Sequence, residues 1–172
     1  MAKLMTTSRL ESLEKEASSR GLLLRVQIRR PLNLWIFRVV VAEAKGSNEI
    51  QLLGEMKGWA FHHKKGLQLD TMKVSRQAPR GVGHLIWCAT MSWALEETPC
   101  QKARLLAIYD ENNQHFKLKN YFSRRGFFLL RDVGSSPIDL PLRVVWGGAG
   151  ALMIGDCMSV FKKSYELWSM PT

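Results

Sequence analysis

The sequence of 172 residues contains only three cysteines, and they lie far apart. An odd number of cysteines, with no CxxC pair and no companion histidine pattern, excludes a disulfide framework and a structural zinc site and predicts a reducing compartment. No run reaches the roughly 18 apolar residues that a membrane-spanning helix needs. The first 20 residues carry scattered charges and lack the apolar stretch of a signal peptide. These absences predict a soluble, cytoplasmic protein without a metal site.

The composition favours one globular domain with a substantial core, because 46% of the residues are hydrophobic and six are tryptophan. The formal charge of +10 favours an anionic partner: nucleic acid, a phosphorylated cofactor, an acidic protein or a membrane surface. Basic residues are spread along the chain, so charge alone does not choose among these partners.

Hydrophobic periodicity and Gly/Pro positions predict an α+β order of elements. Residues 1–21 contain an N-terminal helix, with Ser8 and Glu11 as a capping box. Antiparallel-type strands follow, and then strands alternate with helices, which indicates a mixed sheet. The predicted helices are 8–20, 81–97, 114–125 and 157–168. The predicted strands are 22–30, 35–41, 49–61 (bulged at Gly54 or Gly58), 67–74, 103–109, 127–133 and an interrupted extended segment, 142–154.

The strand 67–74 leads through a basic Pro/Gly loop into a helix that is apolar nearly all round, which is typical of a buried central helix. Gly81 and Gly83 flank Val82 where this helix begins. Free N–H groups and the positive end of the helix dipole favour phosphate there. Nearby basic side chains would strengthen that field: Lys73, Arg76 and Arg80. The alternative interpretation is a glycine-eased turn between packed elements.

From residue 49 to 133 this order resembles the GCN5-related N-acetyltransferase (GNAT) family. The resemblance rests on LQLDTMKV (67–74), the loop at 80–83, the buried helix, ARLLAIYD (103–110) and NYFSRRGFF (120–128). It implies a mixed, mostly antiparallel sheet flanked by helices, with residues 67–133 as the core that binds acetyl-CoA or another acyl-CoA. The pantetheine would pair with the backbone of Met72, Lys73 and Val74. The pyrophosphate would sit on the N–H groups of Arg80, Gly81, Val82 and Gly83, next to His84.

The chain departs from the family pattern at several positions. Ala78 stands where the family has Arg or Gln. Phe122 stands where the family often has the Tyr that protonates the departing thiolate, and Tyr121 precedes it. His115 matches the family's Asn. Only one helix precedes the sheet, where acceptor-binding members have a strand and two helices.

Candidate catalytic groups follow from the needs of acyl transfer to an amine: a base for the amine and an acid for the thiolate. The base candidates are Asp70 and Glu55, for which ion pairing is the alternative interpretation. Tyr121 is the candidate acid. Tyr109, after a central strand, is a weaker candidate. His84 is expected to be neutral, because a helix N-terminus disfavours its protonated form.

Three functions are therefore open. The first is an acetyl-CoA-dependent acyltransferase acting on a small-molecule or protein amine. The second is a non-catalytic GNAT-like binding or assembly module with a basic surface for an acidic partner. The third is nucleic-acid binding, which the charge favours but no recognised motif supports. The glycine-rich run 146–150 is either a bulged strand or a strained turn, and with the terminal helix it could form a homodimer contact.

Overall fold

The computed structural model describes residues 7–108, 114–134 and 150–171. Within these ranges the chain forms one seven-stranded sheet and four α-helices. The helices are α1 (Arg9–Ser19), α2 (Val82–Glu97), α3 (Gln114–Arg124) and α4 (Cys157–Ser169). The strands are β1 (Leu22–Arg29), β2 (Trp35–Lys45), β3 (Glu49–Ala60), β4 (Leu67–Val74), β5 (Lys102–Ile108), β6 (Phe127–Val133) and β7 (Gly150–Asp156).

The strands are arranged in the order β1-β2-β3-β4-β5-β7-β6. All neighbouring pairs are antiparallel except β4 and β5, which are parallel. The only parallel pair is the one joined through a helix, α2, as a crossover requires. The predicted class, a mixed and mostly antiparallel α+β sheet, is confirmed.

The main hydrophobic core lies on one face of the sheet, and the described helices pack on that face. Burial alternates along β1 and β2, whereas β3 and β7 each contain four consecutive buried residues. A second, small buried cluster of Leu106, Val133 and Leu152 lies on β5, β6 and β7. Helix α2 is buried from Leu85 to Ala94, so it is the central helix of the layer. Helices α1 and α4 contribute buried side chains to the same core, and Phe122 of α3 packs against it.

Local signals explain where most elements begin and end. Ser8 caps α1 by accepting a hydrogen bond from the backbone N–H of Glu11 at 3.1 Å, and Gly21, with φ +76°, follows its end. The limits of β4 and β6 agree with the prediction. Strand β2 runs four residues beyond its predicted end at Val41. The bulge predicted near Gly54 is confirmed, because Leu53 has no partner between Val41 and Ala42 of β2.

Candidate functional site

The two parallel strands β4 and β5 pair only at their beginnings. Leu67 lies opposite Ala103 and Gln68 lies opposite Arg104, and no further pair joins the strands. Beyond Gln68, β4 continues for six residues, and all of these except the bulged Asp70 are paired with β3. Among the described residues, this stretch therefore has no strand partner on its β5 side.

Helix α2 begins just beyond the open end of β4, and its first turn presents backbone N–H groups. Gly81 is the N-cap residue with φ +98°, a conformation that favours glycine. The N–H of Val82 makes a long hydrogen bond, 3.4 Å, to the carbonyl oxygen of Pro79. The amides of Gly81, Gly83 and His84 have no acceptor among the described residues. They are the unpaired donors of a helix N-terminus.

The two site glycines face different neighbours. A Cβ on Gly83 would lie 3.8 Å from the Met72 and Val74 side chains, so the structure brings the first turn of α2 against the end of β4. A Cβ on Gly81 would lie 3.3 Å from the Trp168 ring of α4. Gly54 of β3 also allows α2 to pack closely on the sheet, since a Cβ there would lie 2.8 Å from Cδ1 of Ile86.

A narrow cavity of about 50 Å³ opens where β4 and β5 separate. Asp70, Thr71 and Met72 line it from β4, and Phe122 and Trp87 lie at the helix side. It is the point at which β4, β5, α2 and α3 converge. Phe122 supplies only an aromatic ring there, because it has no hydroxyl.

A second cavity, of about 210 Å³, adjoins the N-terminus of α2. Arg20, Arg80 and His84 line it together with Trp168. Arg20 donates a hydrogen bond to the carbonyl oxygen of Trp168 at 2.8 Å and lies over its ring at 3.9 Å. Two guanidinium-bearing residues and the helix dipole give this cavity a positive potential. Arg20 and Trp168 were not predicted as site residues, because they reach the site only through the packing of α1 and α4.

Arg125 is a further residue that the sequence did not reveal. Its side chain is buried, and it contacts Nδ1 of His84 at 2.8 Å and Oγ of Ser164 at 3.3 Å. Since arginine only donates, Nδ1 of His84 accepts and its proton is carried on Nε2. The guanidinium also lies over the rings of Tyr121 and Trp87. Among the described residues no carboxylate pairs with it.

His84 is neutral in this setting, as expected, although the main reason differs. Burial lowers its pKa below the ordinary value of 6.5, and the positive charges of Arg125 and Arg80 lower it further. The helix dipole, on which the sequence prediction rested, acts in the same direction. Burial also lowers the pKa of Arg125. The N-terminus of α2 therefore combines a permanent cation with a hydrogen-bonding neutral histidine.

The candidate catalytic residues occupy different surroundings. Asp70 is exposed on a β4 bulge, where Oδ2 accepts a hydrogen bond from Thr71, and it lines the narrow cavity. Glu55 is buried and ion-paired with Arg38 at 2.8 Å and Lys57 at 3.4 Å. Burial alone would raise the pKa of Glu55, but the hydrogen bonds and charges of these two cations outweigh it and lower the pKa. A stable, paired carboxylate is a weak base.

Tyr121 lies beside the cavity rather than in its lining. Its hydroxyl oxygen accepts a hydrogen bond from Nε1 of buried Trp87 at 2.9 Å, and no described residue accepts the proton of Tyr121. Lys73 and Val74 are exposed at the end of β4, and Arg80 is exposed in the loop before α2. Tyr109 and residues 146–149 of the glycine-rich run lie outside the described residues, as does the side chain of His115.

Neither thiol chemistry nor a metal cluster emerges from the described part of the chain. All three cysteines are free and buried, and burial raises the pKa of the Cys88 and Cys157 thiols to about 12. Such thiols are poor nucleophiles. Within 7–108, 114–134 and 150–171, no three His, Cys, Asp or Glu side chains are grouped as metal ligands. In the same ranges no helix is long and apolar enough to cross a membrane.

Comparison with known proteins finds a structural similarity to a protein that is itself uncharacterized. No family model matches the sequence, and no curated protein matches it. The crystal structure of an uncharacterized protein from Bacillus halodurans is similar with a TM-score of 0.47 and 15% identity, over 80% of this chain. The chain spans 66% of the length of that protein, just under two thirds.

Proposed function

We propose that the protein is a GNAT-like acyltransferase that transfers an acetyl group from acetyl-CoA to an amine. The observation that carries this proposal is the separation of β4 from β5 directly before the N-terminus of α2. A strand with one unpaired side accepts an extended ligand through backbone hydrogen bonds. A helix N-terminus six to eight residues further along the chain accepts a diphosphate.

The residues divide into two binding functions. The backbone of Met72, Lys73 and Val74 would bind the pantetheine as an added strand. The amides of Gly81, Gly83 and His84 would bind the pyrophosphate, with Arg80 contributing charge from the adjoining cavity. Glycine matters most at Gly81, because the φ of +98° that places this amide at the helix start is strained for any other residue.

The chemistry is assigned to the residues around the narrow cavity. The thioester supplies an activated acetyl group. Asp70, which is exposed and not ion-paired in the described structure, would accept a proton from the incoming amine. Tyr121 retains a proton that it can donate to the departing thiolate. Glu55 neutralises Arg38 and Lys57 and is not assigned to proton transfer, because its carboxylate is paired with these two cations.

One observation favours a second function, a non-catalytic binding or assembly module of the same fold. Phe122 and Trp87 leave a cavity of only about 50 Å³, and neither supplies a proton to it. In this alternative, acetyl-CoA binds without turnover, or the site binds nothing and the basic surface engages an acidic partner.

A matched pair of substitutions at Gly83 tests cofactor binding by calorimetry with acetyl-CoA. Gly83→Ala adds a methyl group that meets only ordinary contacts at 3.8 Å, so we expect binding to persist. Gly83→Glu places a carboxylate among the free amides, where it stabilises the helix N-terminus but repels a diphosphate. We expect it to weaken binding at least tenfold. Equal affinities in all three proteins would contradict a site at the α2 N-terminus.

Turnover is tested separately by following thiol release from acetyl-CoA with a panel of small amines and lysine peptides. Wild type is expected to release thiol with at least one amine. Phe122→Tyr, which adds a hydroxyl in the cavity, is expected to raise kcat, whereas Tyr121→Phe is expected to lower it. Binding without thiol release from any amine, in wild type and in Phe122→Tyr, would establish the non-catalytic alternative.

A further inference from the structure

Over β1 to β4, no helix among the described residues covers the face of the sheet opposite the core, and we call this face the uncovered face. Since β1 and β2 are joined by a single 3₁₀ turn, Pro31–Asn33, the connection places no helix there. All four described helices contribute to the core on the other face. The outward residues of β1 and β2 accordingly alternate with buried ones along each strand.

One row of side chains runs across all seven strands on this face, and on β5, β7 and β6 it lies beside a small buried cluster of Leu106, Leu152 and Val133. Direct pairing places its members next to each other, and directly paired residues point to the same face. With strands about 4.8 Å apart, six steps give a row roughly 29 Å long. Cationic or polar residues alternate in it with apolar or aromatic ones: Arg29, Ile36, Trp59, Gln68, Arg104, Ile154 and Phe128.

Positive charge dominates the neighbouring rows as well. Arg25 shares the face through its pairing with Val40, and Arg38 is paired with Lys57. The nearby acidic groups are Glu55, which already neutralises part of the charge of Arg38 and Lys57, and exposed Asp70. A groove of about 410 Å³ lies along this part of the face. Its lining includes Gln27, Arg29, Ile36, Arg38, Lys57, Trp59 and Asp70.

Arg104 adds a partly buried cation to the middle of the row, on β5. Its Nε is buried without a hydrogen-bond partner in the structure, so it would meet a phosphate through its terminal guanidinium nitrogens.

The aromatic residues distinguish between kinds of anionic partner. Phe128 is 71% exposed at one end of the row, and Trp59 lines the groove four strands away. An acidic protein needs only the cations. A single-stranded nucleic acid uses both groups, because its phosphates pair with arginine while its unpaired bases stack on aromatic rings.

We propose that this uncovered face binds single-stranded nucleic acid, with Arg25, Arg29 and Arg104 contacting phosphates and Phe128 stacking a base. This site is separate from the α2 N-terminus, because it uses the opposite face of the sheet, and Asp70 lines both its groove and the narrow cavity. The charge of +10 supplies the long-range attraction, and the row supplies the specific contacts.

The test measures fluorescence anisotropy of a labelled 12-nucleotide oligouridine at several salt concentrations. Arg25→Glu/Arg29→Glu is expected to weaken binding at least tenfold. It should also reduce the slope of log K against log salt by about 1.4, since each single-strand phosphate contact contributes about 0.7. The control Lys15→Glu/Lys162→Glu makes the same change in net charge at exposed positions of α1 and α4 and is expected to have little effect.

Phe128→Ala separates stacking from charge. This substitution at an exposed ring is expected to weaken oligouridine binding about tenfold with an unchanged salt slope.

Duplex RNA and a poly-glutamate peptide are expected to bind at least tenfold more weakly than oligouridine. Three results would overturn the proposal: no saturable oligouridine binding, equal losses in the two double variants, or equal binding of poly-glutamate with no effect of Phe128→Ala. The last result would indicate an acidic protein partner instead.

Discussion

Arg125 and His84 form the most unusual contact between side chains in the structure. A buried guanidinium normally has a carboxylate partner, because an uncompensated buried charge is costly. Here it has the Nδ1 of a neutral histidine, the hydroxyl of Ser164 and two aromatic faces. The pair therefore concentrates positive charge next to the free amides of α2 while remaining fixed in position.

This contact makes the stability of the fold depend on pH. The folded-state pKa of His84 is lowered, mainly by burial and then by Arg125 and Arg80. The unfolded chain consequently binds more protons than the folded chain once the pH falls below about 6.5. Stability is then fully present above that pH and is lost as the pH falls towards the folded pKa.

We expect the wild type to lose more unfolding free energy between pH 7.5 and pH 5.5 than His84→Gln, measured by urea denaturation. Glutamine keeps an oxygen that accepts a hydrogen bond from Arg125 but does not titrate. The control is His62→Gln, a change at an exposed histidine that should follow the wild type. Parallel curves for wild type and His84→Gln would contradict a lowered pKa at His84.

At the scale of elements, glycines set how closely α2 approaches the sheet. Gly54 lies on β3 under Ile86, and Gly83 lies at the start of α2 against β4. They differ in the room left for a side chain: 2.8 Å to the nearest atom at Gly54 and 3.8 Å at Gly83. The first glycine is required by packing, and the second is not.

The effect of an alanine substitution on the free energy of unfolding should therefore differ in sign between the two glycines. We expect Gly54→Ala to destabilise by about 1–3 kcal/mol, since the new Cβ overlaps Cδ1 of Ile86. Gly83→Ala should be neutral or stabilising by up to about 1 kcal/mol, because alanine is the better helix former. Ile86→Val removes the overlapping Cδ1 atom. The double variant Gly54→Ala/Ile86→Val should thus lose less stability in urea than the sum of the single losses; additive losses would contradict the overlap.

Most of these elements could be predicted from sequence because their signals are local. Alternation from Leu67 to Val74 and the capping box of Ser8 and Glu11 each act within a few residues. The contact of Arg125 with His84 joins residues 41 positions apart, and only the packing of α3 beside α2 creates it. The site glycines were predictable because their signal is local. Arg20 and Trp168 were not, because only the packing of α1 and α4 brings them to the site. The uncovered face was predictable in part. The alternation of Arg25, Gln27 and Arg29 in β1 is a local signal, but the pairing of the strands that completes the face is not.

At the scale of the whole molecule, two arrangements of charge are superimposed. The net charge of +10 is diffuse and repels itself, so any salt that screens it should stabilise the fold. The free amides at the N-terminus of α2 form a local site, and their arrangement selects for the shape of a diphosphate. Screening acts on every variant of equal charge, whereas a bound ligand stabilises only a protein that retains its site.

Thermal unfolding in sodium chloride and in sodium pyrophosphate at equal ionic strength separates the two arrangements. Chloride should raise the Tm of wild type and Gly83→Glu alike. Pyrophosphate at about 100 times its Kd should add roughly 2.7 kcal/mol to wild type, which is about 5–10 °C in a chain of this size. Gly83→Glu should lack this addition, whereas Arg25→Glu/Arg29→Glu should retain it because those residues lie on the opposite face. An equal pyrophosphate effect in wild type and Gly83→Glu would show that the anion acts by screening alone, and the α2 N-terminus would then have no diphosphate site.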